Sequence, residues 1–409
     1  MTSDFVLRPV TSDELAGFAT TALTAFGERF ESARFELDWT SVELDRTLAA
    51  FEGDEIVGTG RLYSLELTMP GGRLLPTAGV SWIAVLPTHR RRGILTAIKR
   101  TQLDDAAERG EPLAILYASE SGIYRRFGYG VSTSSMSVSV ERRHSAFLNP
   151  VPAGRVRLVD EDDARKLFPE IFDRARRTQP GGVQRVDAWW PDEFFWRDPN
   201  EKGTRYYCVC ESPDGNLDGY AAYRFEASWD NDPNGTVHVT DLVTVSPAAR
   251  AVLWRYLLDV DLVETVKAWV VPVDEPLRWL LRESRRMRVT RLGDSLWVRV
   301  LDAPAALSAR TYATSGRVVF EVLDPVRPDA GAAGRVALDG GPDGADARRT
   351  SDEPDLVLGV AELGGILLGG VRPSALARAG LVDERTPGAL AVADAMFAVE
   401  PLPFSMTDF

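Results

Sequence analysis

Three stretches of this sequence return later in the chain, in the same order. "VLRPVTSDELAGFATTAL" is echoed by "VRLVDEDDARKLFPEIF", "EIVGTGRLYSLE" by "NLDGYAAYRFE", and "LLPTAGVSWIAVLPTHRRRGILTAI" by "TVHVTDLVTVSPAARAVLWRYLLDV". One echo is weak, but three in a shared order indicate a duplicated structural unit. Each copy alternates period-two runs with helical-period segments, so the fold class is α/β, with mixed α+β sheets. At 409 residues the chain is too long for one ordinary core. Boundaries fall at 1–150, 151–298 and 299–409: two copies of one unit, then a domain of different grammar.

Within the first copy, Leu15, Phe18, Ala22, Ala25 and Phe26 lie close to one helical face that ends at Gly27. Strand-like runs follow, with turns at "EGDE" and "PGGR". A helix at "ILTAIKRTQLDDAAERG", a strand "LAILYAS", a short helix "GIYRRFG" and a final strand "SSMSVSVERR" complete the copy. From Val318 the strands belong to the third domain. Its Gly/Ala/Asp-rich stretch from Pro328 to Asp352 reads as loose surface hairpins. "PGALAVADAMFAVEP" reads as a last amphipathic helix before the tail "LPFSMTDF".

Composition excludes several function classes. Lys plus Arg number 47 against 60 Asp plus Glu, a net charge of −13, which makes nucleic acid or an anionic membrane a poor partner and favours cationic small molecules. Cys208 and Cys210, two apart in a strand-like run, share one face, poor geometry for a disulfide between them. Two thiols do not make a zinc site, and no two of the three histidines stand at ligand spacing. No metal is expected. The start lacks a basic-then-apolar leader and no run approaches a membrane span, so the expected location is cytoplasmic.

One segment is at odds with its own local chemistry. In "VLPTHRRRGILTAIKR" His89, Arg90, Arg91 and Arg92 precede a helix start, where free N–H groups already carry partial positive charge. A bare arginine run there usually means a solvated face. Gly93, however, removes a Cβ from the backbone's approach to a ligand, and amides plus guanidinium groups together suit a diphosphate. The second copy has "AARAV" instead, with one arginine and no glycine. No Walker-type Lys-Ser/Thr follows, and the further glycines of a dinucleotide fingerprint are missing.

"LPTAGVSWIAVLPTHRRRGILTAIKR" followed by "YASESGIYRRFGYG" resembles the enhanced intracellular survival (Eis) branch of the GCN5-related N-acetyltransferase (GNAT) superfamily. The likeness extends over the whole chain, through "DSLWVRVLDAPAAL" to Asp408–Phe409. It departs at Leu95, where a small residue is usual. The resemblance implies tandem GNAT-fold domains, the second lacking the pyrophosphate loop, and a sterol-carrier-like C-terminal domain. It further implies acetyl-CoA as acyl donor, a homo-hexamer, and as acceptor a cationic amine (aminoglycoside-like or polyamine) or a lysine-containing peptide.

The resemblance also assigns residues. Ile83, Ala84 and Val85 pair with the pantetheine arm through backbone atoms, and Arg91, Arg92, Gly93, Ile94, Leu95 and Thr96 hold the diphosphate. Ser119 and Glu120 stand at the cofactor. Tyr124 is the general acid, although composition alone gives Tyr129 equal standing. The terminal carboxylate of Phe409 is the general base. Glu28 and Asp408 are candidate acidic contacts for the substrate, with Phe26 and Trp39 in the same pocket. Two rivals stay open at this point: an acyl-CoA-binding regulatory protein without useful chemistry, and a carrier of hydrophobic ligands.

Overall fold

The computed structural model describes residues 5–29, 42–195 and 201–409. They form two compact units: Met1–Thr133 with Ser295–Glu400 and Thr407–Phe409, and Ser134–Asp294 with Pro401–Met406. Among the described residues no helix is long and apolar enough to cross a membrane.

The first unit opens with β1 (Val6–Pro9) and α1 (Leu15–Phe26). Leu15, Phe18, Ala19, Ala22 and Leu23 are the buried stripe of α1, at helical spacing, and Gly27 ends the helix in the left-handed region. β2 (Thr47–Glu52), β3 (Glu55–Thr68) and β4 (Leu74–Val85) make an antiparallel meander with β1 outside β2. A crossover through α2 (Ile94–Glu108) brings the chain back as β5 (Leu113–Tyr117), parallel to β4. The short α3 (Ser121–Tyr124) and β6 (Gly130–Val131) follow.

α2 buries two polar residues among its apolar ones, Lys99 and Gln102. Lys99 is fully buried, donating from Nζ to the Tyr129 hydroxyl at 2.9 Å and to Gln102 Oε1 at 3.1 Å. Burial, then the charge of Arg299, drives its pKa well below the ordinary lysine value. The unfolded chain therefore binds more protons than the folded one at any pH between the folded and unfolded pKa values. Stability should climb with pH through that window, by up to about 1.4 kcal/mol per pH unit. Lys99→Met should flatten this climb and raise the melting temperature at pH 7, which thermal melts of both proteins from pH 7 to 10 measure.

The second unit begins with β7 (Ser134–Glu141), the strand read from sequence as the end of the first copy. It pairs instead with later strands. β8 (Arg155–Val159), α4 (Glu161–Arg176), β9 (Thr204–Glu211) and β10 (Leu217–Glu226) come next. After the two-residue β11 (Trp229–Asp230) and β12 (Asp232–Pro233) come β13 (Gly235–Thr244), α5 (Pro247–Asp259) and β14 (Val263–Pro272). The short α6 (Leu277–Leu280) and β15 (Arg288–Asp294) complete it. The sheet order is β15-β7-β14-β13-β10-β9-β8. On one face Leu253, Trp254 and Leu257 of α5 pack with Val237, Val239 and Val266. On the other, Phe168 and Phe172 of α4 pack with Tyr207, Tyr220 and Val243. Cys208 and Cys210 are free thiols buried on the α5 face, pushed up by burial to about 12 and about 11.

The chain then returns to the first unit. β16 (Leu296–Val300) inserts between β5 and β6, giving the order β1-β2-β3-β4-β5-β16-β6. The boundary placed at 298 thus falls inside a strand of the first sheet. After α7 (Ala303–Ser308) come β17 (Gly316–Leu323), β18 (Gly334–Gly341), β19 (Gly344–Arg349) and β20 (Leu356–Gly359). The glycine-rich stretch read as loose hairpins is therefore a regular one: β18 and β19 pair over six residue pairs and join a five-stranded sheet. α8 (Val360–Leu367), α9 (Pro373–Arg378), β21 (Val382–Glu384) and α10 (Ala389–Phe397) complete the domain. α8 rests on β6 and β16 with backbone against backbone: a Cβ on Gly130 would lie 1.8 Å from the Ala361 carbonyl oxygen, and one on Gly364 2.2 Å from that of Val298.

Candidate active site

β4 and β5 start as neighbours and then part. They pair only at Thr77–Gly79 against Leu113–Ile115, while β4 runs on to Val85. The break is built into β4: Trp82 has φ +54°, its register with β3 slips between Thr59 and Arg61, and the Thr59 hydroxyl donates to the Trp82 carbonyl at 2.8 Å. The gap becomes a cleft of ≈ 770 Å³. Ile83, Ala84 and Val85 line it together with Ser119 and Glu120.

The loop before α2 resolves the puzzle of the four cations. Arg91 has φ +65° and Gly93 φ +86°, and Gly93 is the N-cap of α2 with no side chain to satisfy the helix amides. Nothing lies within 4 Å of where its Cβ would be, so the approach to those amides is open. Arg90, Arg91, Gly93, Ile94, Leu95 and Thr96 all line the cleft. Arg92 is the exception. Its guanidinium donates to Glu52 at 2.9 and 3.1 Å, and His89 Nε2 meets the same carboxylate at 2.6 Å. The bonds from Arg92 and then His89 hold the Glu52 carboxyl at about 2, so it stays charged and keeps Arg92 turned away from the cleft. Leu95 fits despite its size because it also packs with the cluster of Leu103, Tyr124 and Phe127.

The second unit has no such opening at the matching helix. Ser246 caps α5 by accepting from the Ala249 N–H at 3.2 Å, and Pro247 has no N–H to offer. Arg250 is committed to Glu275.

Tyr124 stands where the cleft meets a second cavity of ≈ 410 Å³, and Phe26, Ile83, Ser119 and Tyr124 line both. Burial, then the charge of Glu120, pushes the Tyr124 hydroxyl up to about 12. Tyr129 lines neither cavity; its hydroxyl accepts from Lys99. Asp408 and Phe409 line the second cavity. The Phe409 ring sits edge-on to Tyr117 and Tyr63, with centroids 5.4 and 6.2 Å apart, and the Tyr117 hydroxyl donates to the Thr407 carbonyl. Asp408 has exposed surface, but it faces this enclosure, and loss of water raises its carboxyl above the usual range. Glu28 lines neither cavity: it is exposed just past α1, its N–H bonded to the Leu23 carbonyl at 2.8 Å. Trp39 lies outside the described residues. Sequence reasoning missed Arg126 and Ile123 at the cleft and Trp82 and Tyr117 at the second cavity, all within the quoted motif but without a spacing that marks them.

Residues 6–132 match one acetyltransferase (GNAT) domain family and residues 181–300 another, and residues 303–405 match a sterol carrier protein domain. An uncharacterized N-acetyltransferase of Streptomyces avermitilis is 39% identical over 413 residues, 99% of each chain. The N-acetyltransferase Eis of Mycobacterium tuberculosis is 36% identical over 354 residues, 85% of this chain and 84% of its own. The crystal structure of Eis1 from Mycobacterium abscessus superposes with a TM-score of 0.88 at 38% identity, covering 99% of this chain and 100% of that one. A GCN5-related N-acetyltransferase from Anabaena variabilis shares the fold at 20% identity, with a TM-score of 0.85. Two GNAT domains followed by a sterol-carrier-like domain thus make this protein an N-acetyltransferase of the GNAT class. Within that class the chain belongs to the Eis family.

Proposed function

We propose that this enzyme moves the acetyl group of acetyl-CoA to a primary amine of a cationic small molecule or a lysine-containing peptide, by direct attack in a ternary complex. One observation carries the reading: a donor-sized cleft with an uncapped helix start and a separate cavity ending in carboxylates meet at Tyr124. The diphosphate docks on the amides that follow Arg91, with Arg90 and Arg91 beside it, and the pantetheine arm runs along Ile83–Val85. A β4 backbone N–H stabilises the oxyanion as the amine nitrogen attacks the thioester carbon.

Only a neutral amine attacks, and a lysine-like amine titrates near ~10.4, so a base is required. The reading assigns that role to the Phe409 carboxylate, in a cavity whose neighbour Asp408 already has its basicity raised by enclosure. As the C–S bond breaks, the Tyr124 hydroxyl faces the departing sulfur. A thiol near ~8.5 is a stronger acid than a hydroxyl at about 12, so Tyr124 acts chiefly by donating a hydrogen bond to the thiolate. The proton shed by the acetylated nitrogen balances release of the thiol. The family resemblance alone supports a homo-hexamer as part of this proposal.

Free-thiol release from acetyl-CoA, with and without a panel of polyamines, aminoglycosides and lysine peptides, tests the reading. Release that requires an amine is expected. Binding without release would mark a regulatory protein, and absence of binding a carrier. Residues added after Phe409 should lower turnover ~10²-fold with coenzyme A binding kept; full activity in such a protein removes the proposed base.

A further inference from the structure

The second unit holds a cavity that acetyl transfer does not use. Across its sheet one register line carries Arg205 on β9, Arg224 on β10, His238 on β13, Lys267 on β14, Ser139 on β7 and Arg288 on β15. Like charges directly opposed on neighbouring strands destabilise a sheet. The line is the more unusual in a chain whose net charge is −13.

Carboxylates answer most of these cations. Glu201 bonds Arg205 at 2.6 Å and lies 3.4 Å from Arg224; Glu226 is 3.1 Å from His238 and 3.5 Å from Arg224; Glu141 takes Arg288 at 3.0 Å. Lys267, at the centre, has no ion pair among the described residues. Burial, then the charge of Arg224, lowers the His238 pKa, with Lys267 adding to that and Glu226 opposing it. A cavity of ≈ 440 Å³ opens over Arg224, His238 and Lys267, with Ser139 and Thr240 on its wall. Trp269, two residues along β14 from Lys267 and so on the same face, lines it while 69% exposed. An anion would compensate the unanswered charge of Lys267 and favour the protonated form of His238 opposite it, and an exposed indole offers a flat apolar surface beside them.

We propose that this cavity binds a small aromatic anion, its carboxylate or phosphate seated between His238 and Lys267 and its ring against Trp269. The test uses the full chain saturated with coenzyme A, so that the α2 loop cannot capture the probes. Phenyl phosphate, benzoate and inorganic phosphate are titrated separately while the His238 ring resonance is followed by NMR. It is one of three histidines, assigned with His238→Gln. At least one aromatic probe should give a saturable shift with a Kd of ~1 mM or below, ~10-fold tighter than inorganic phosphate, and should raise the His238 pKa. The tighter aromatic probe identifies the head group. Lys267→Gln, at an exposed position, should weaken that binding ~10-fold and leave acetyl transfer unchanged. No saturable shift below ~10 mM, equal affinity for inorganic phosphate, or unchanged affinity in Lys267→Gln would overturn the proposal. So would a shift that grows with protein concentration alone, since a second copy would then be the occupant.

Discussion

Tyr124→Phe should lower turnover by ~10²-fold or more while leaving coenzyme A affinity within about twofold. The substitution removes one oxygen and keeps the ring, which packs with Leu62, Leu103 and Phe127, so the fold has no reason to change. Under the proposed mechanism, what is lost is a donor facing the sulfur at the moment charge builds there. The pH profile sharpens the test. With its hydroxyl pushed up to about 12, Tyr124 stays protonated across the whole working range. Wild-type kcat should therefore rise with amine deprotonation from pH 7 to ~10 and show no falling limb from loss of this proton. Steady-state kinetics of both proteins over that range decide it. Wild-type turnover in Tyr124→Phe would remove the residue from the chemistry.

Gly130→Ala should cost the first unit ~4 kcal/mol or more, or prevent folding. The added methyl would lie 1.8 Å from the Ala361 carbonyl oxygen and 2.9 Å from the Gly365 nitrogen. Both are backbone atoms of α8, which cannot swing aside as a flexible side chain would. α8 would have to lift from β6 and β16, and β16 is the strand that flanks β5, from which Ser119 and Glu120 follow. Gly122→Ala is the control. Nothing stands within 4 Å of that Cβ and its φ is ordinary, so the same methyl should leave stability unchanged or raise it by ~0.4–1 kcal/mol. Thermal melts of the two variants compare one methyl group in two settings; equal melting temperatures would mean that α8 does not sit where the structure has it.

Much of this architecture was legible in the chain. The repeat order gave two mixed sheets, and the asymmetry of "RRRG" against "AARAV" set apart the helix start that has a glycine N-cap from the matching one that Ser246 caps. Strand membership was not legible. Ser134–Glu141 and Leu296–Val300 both show strand patterning, and alternation tells which side chains are buried, not which sheet recruits the strand. Each goes to a sheet that the strand before it in sequence does not belong to. Individual side chains in the basic run were equally hidden. Arg92 meets Glu52, 40 residues earlier, and no local pattern announces that pairing. Glu28 was carried by charge and position alone, and position past the helix end left it in solvent.

The binding of the donor is the step from which the rest follows, and a crystal structure with coenzyme A bound measures it. The diphosphate oxygens should lie about 2.7–3.2 Å from backbone nitrogens between Arg91 and Thr96, with the thiol beside the Tyr124 hydroxyl. A diphosphate held elsewhere, with the amides after Gly93 still facing open space, would contradict the account.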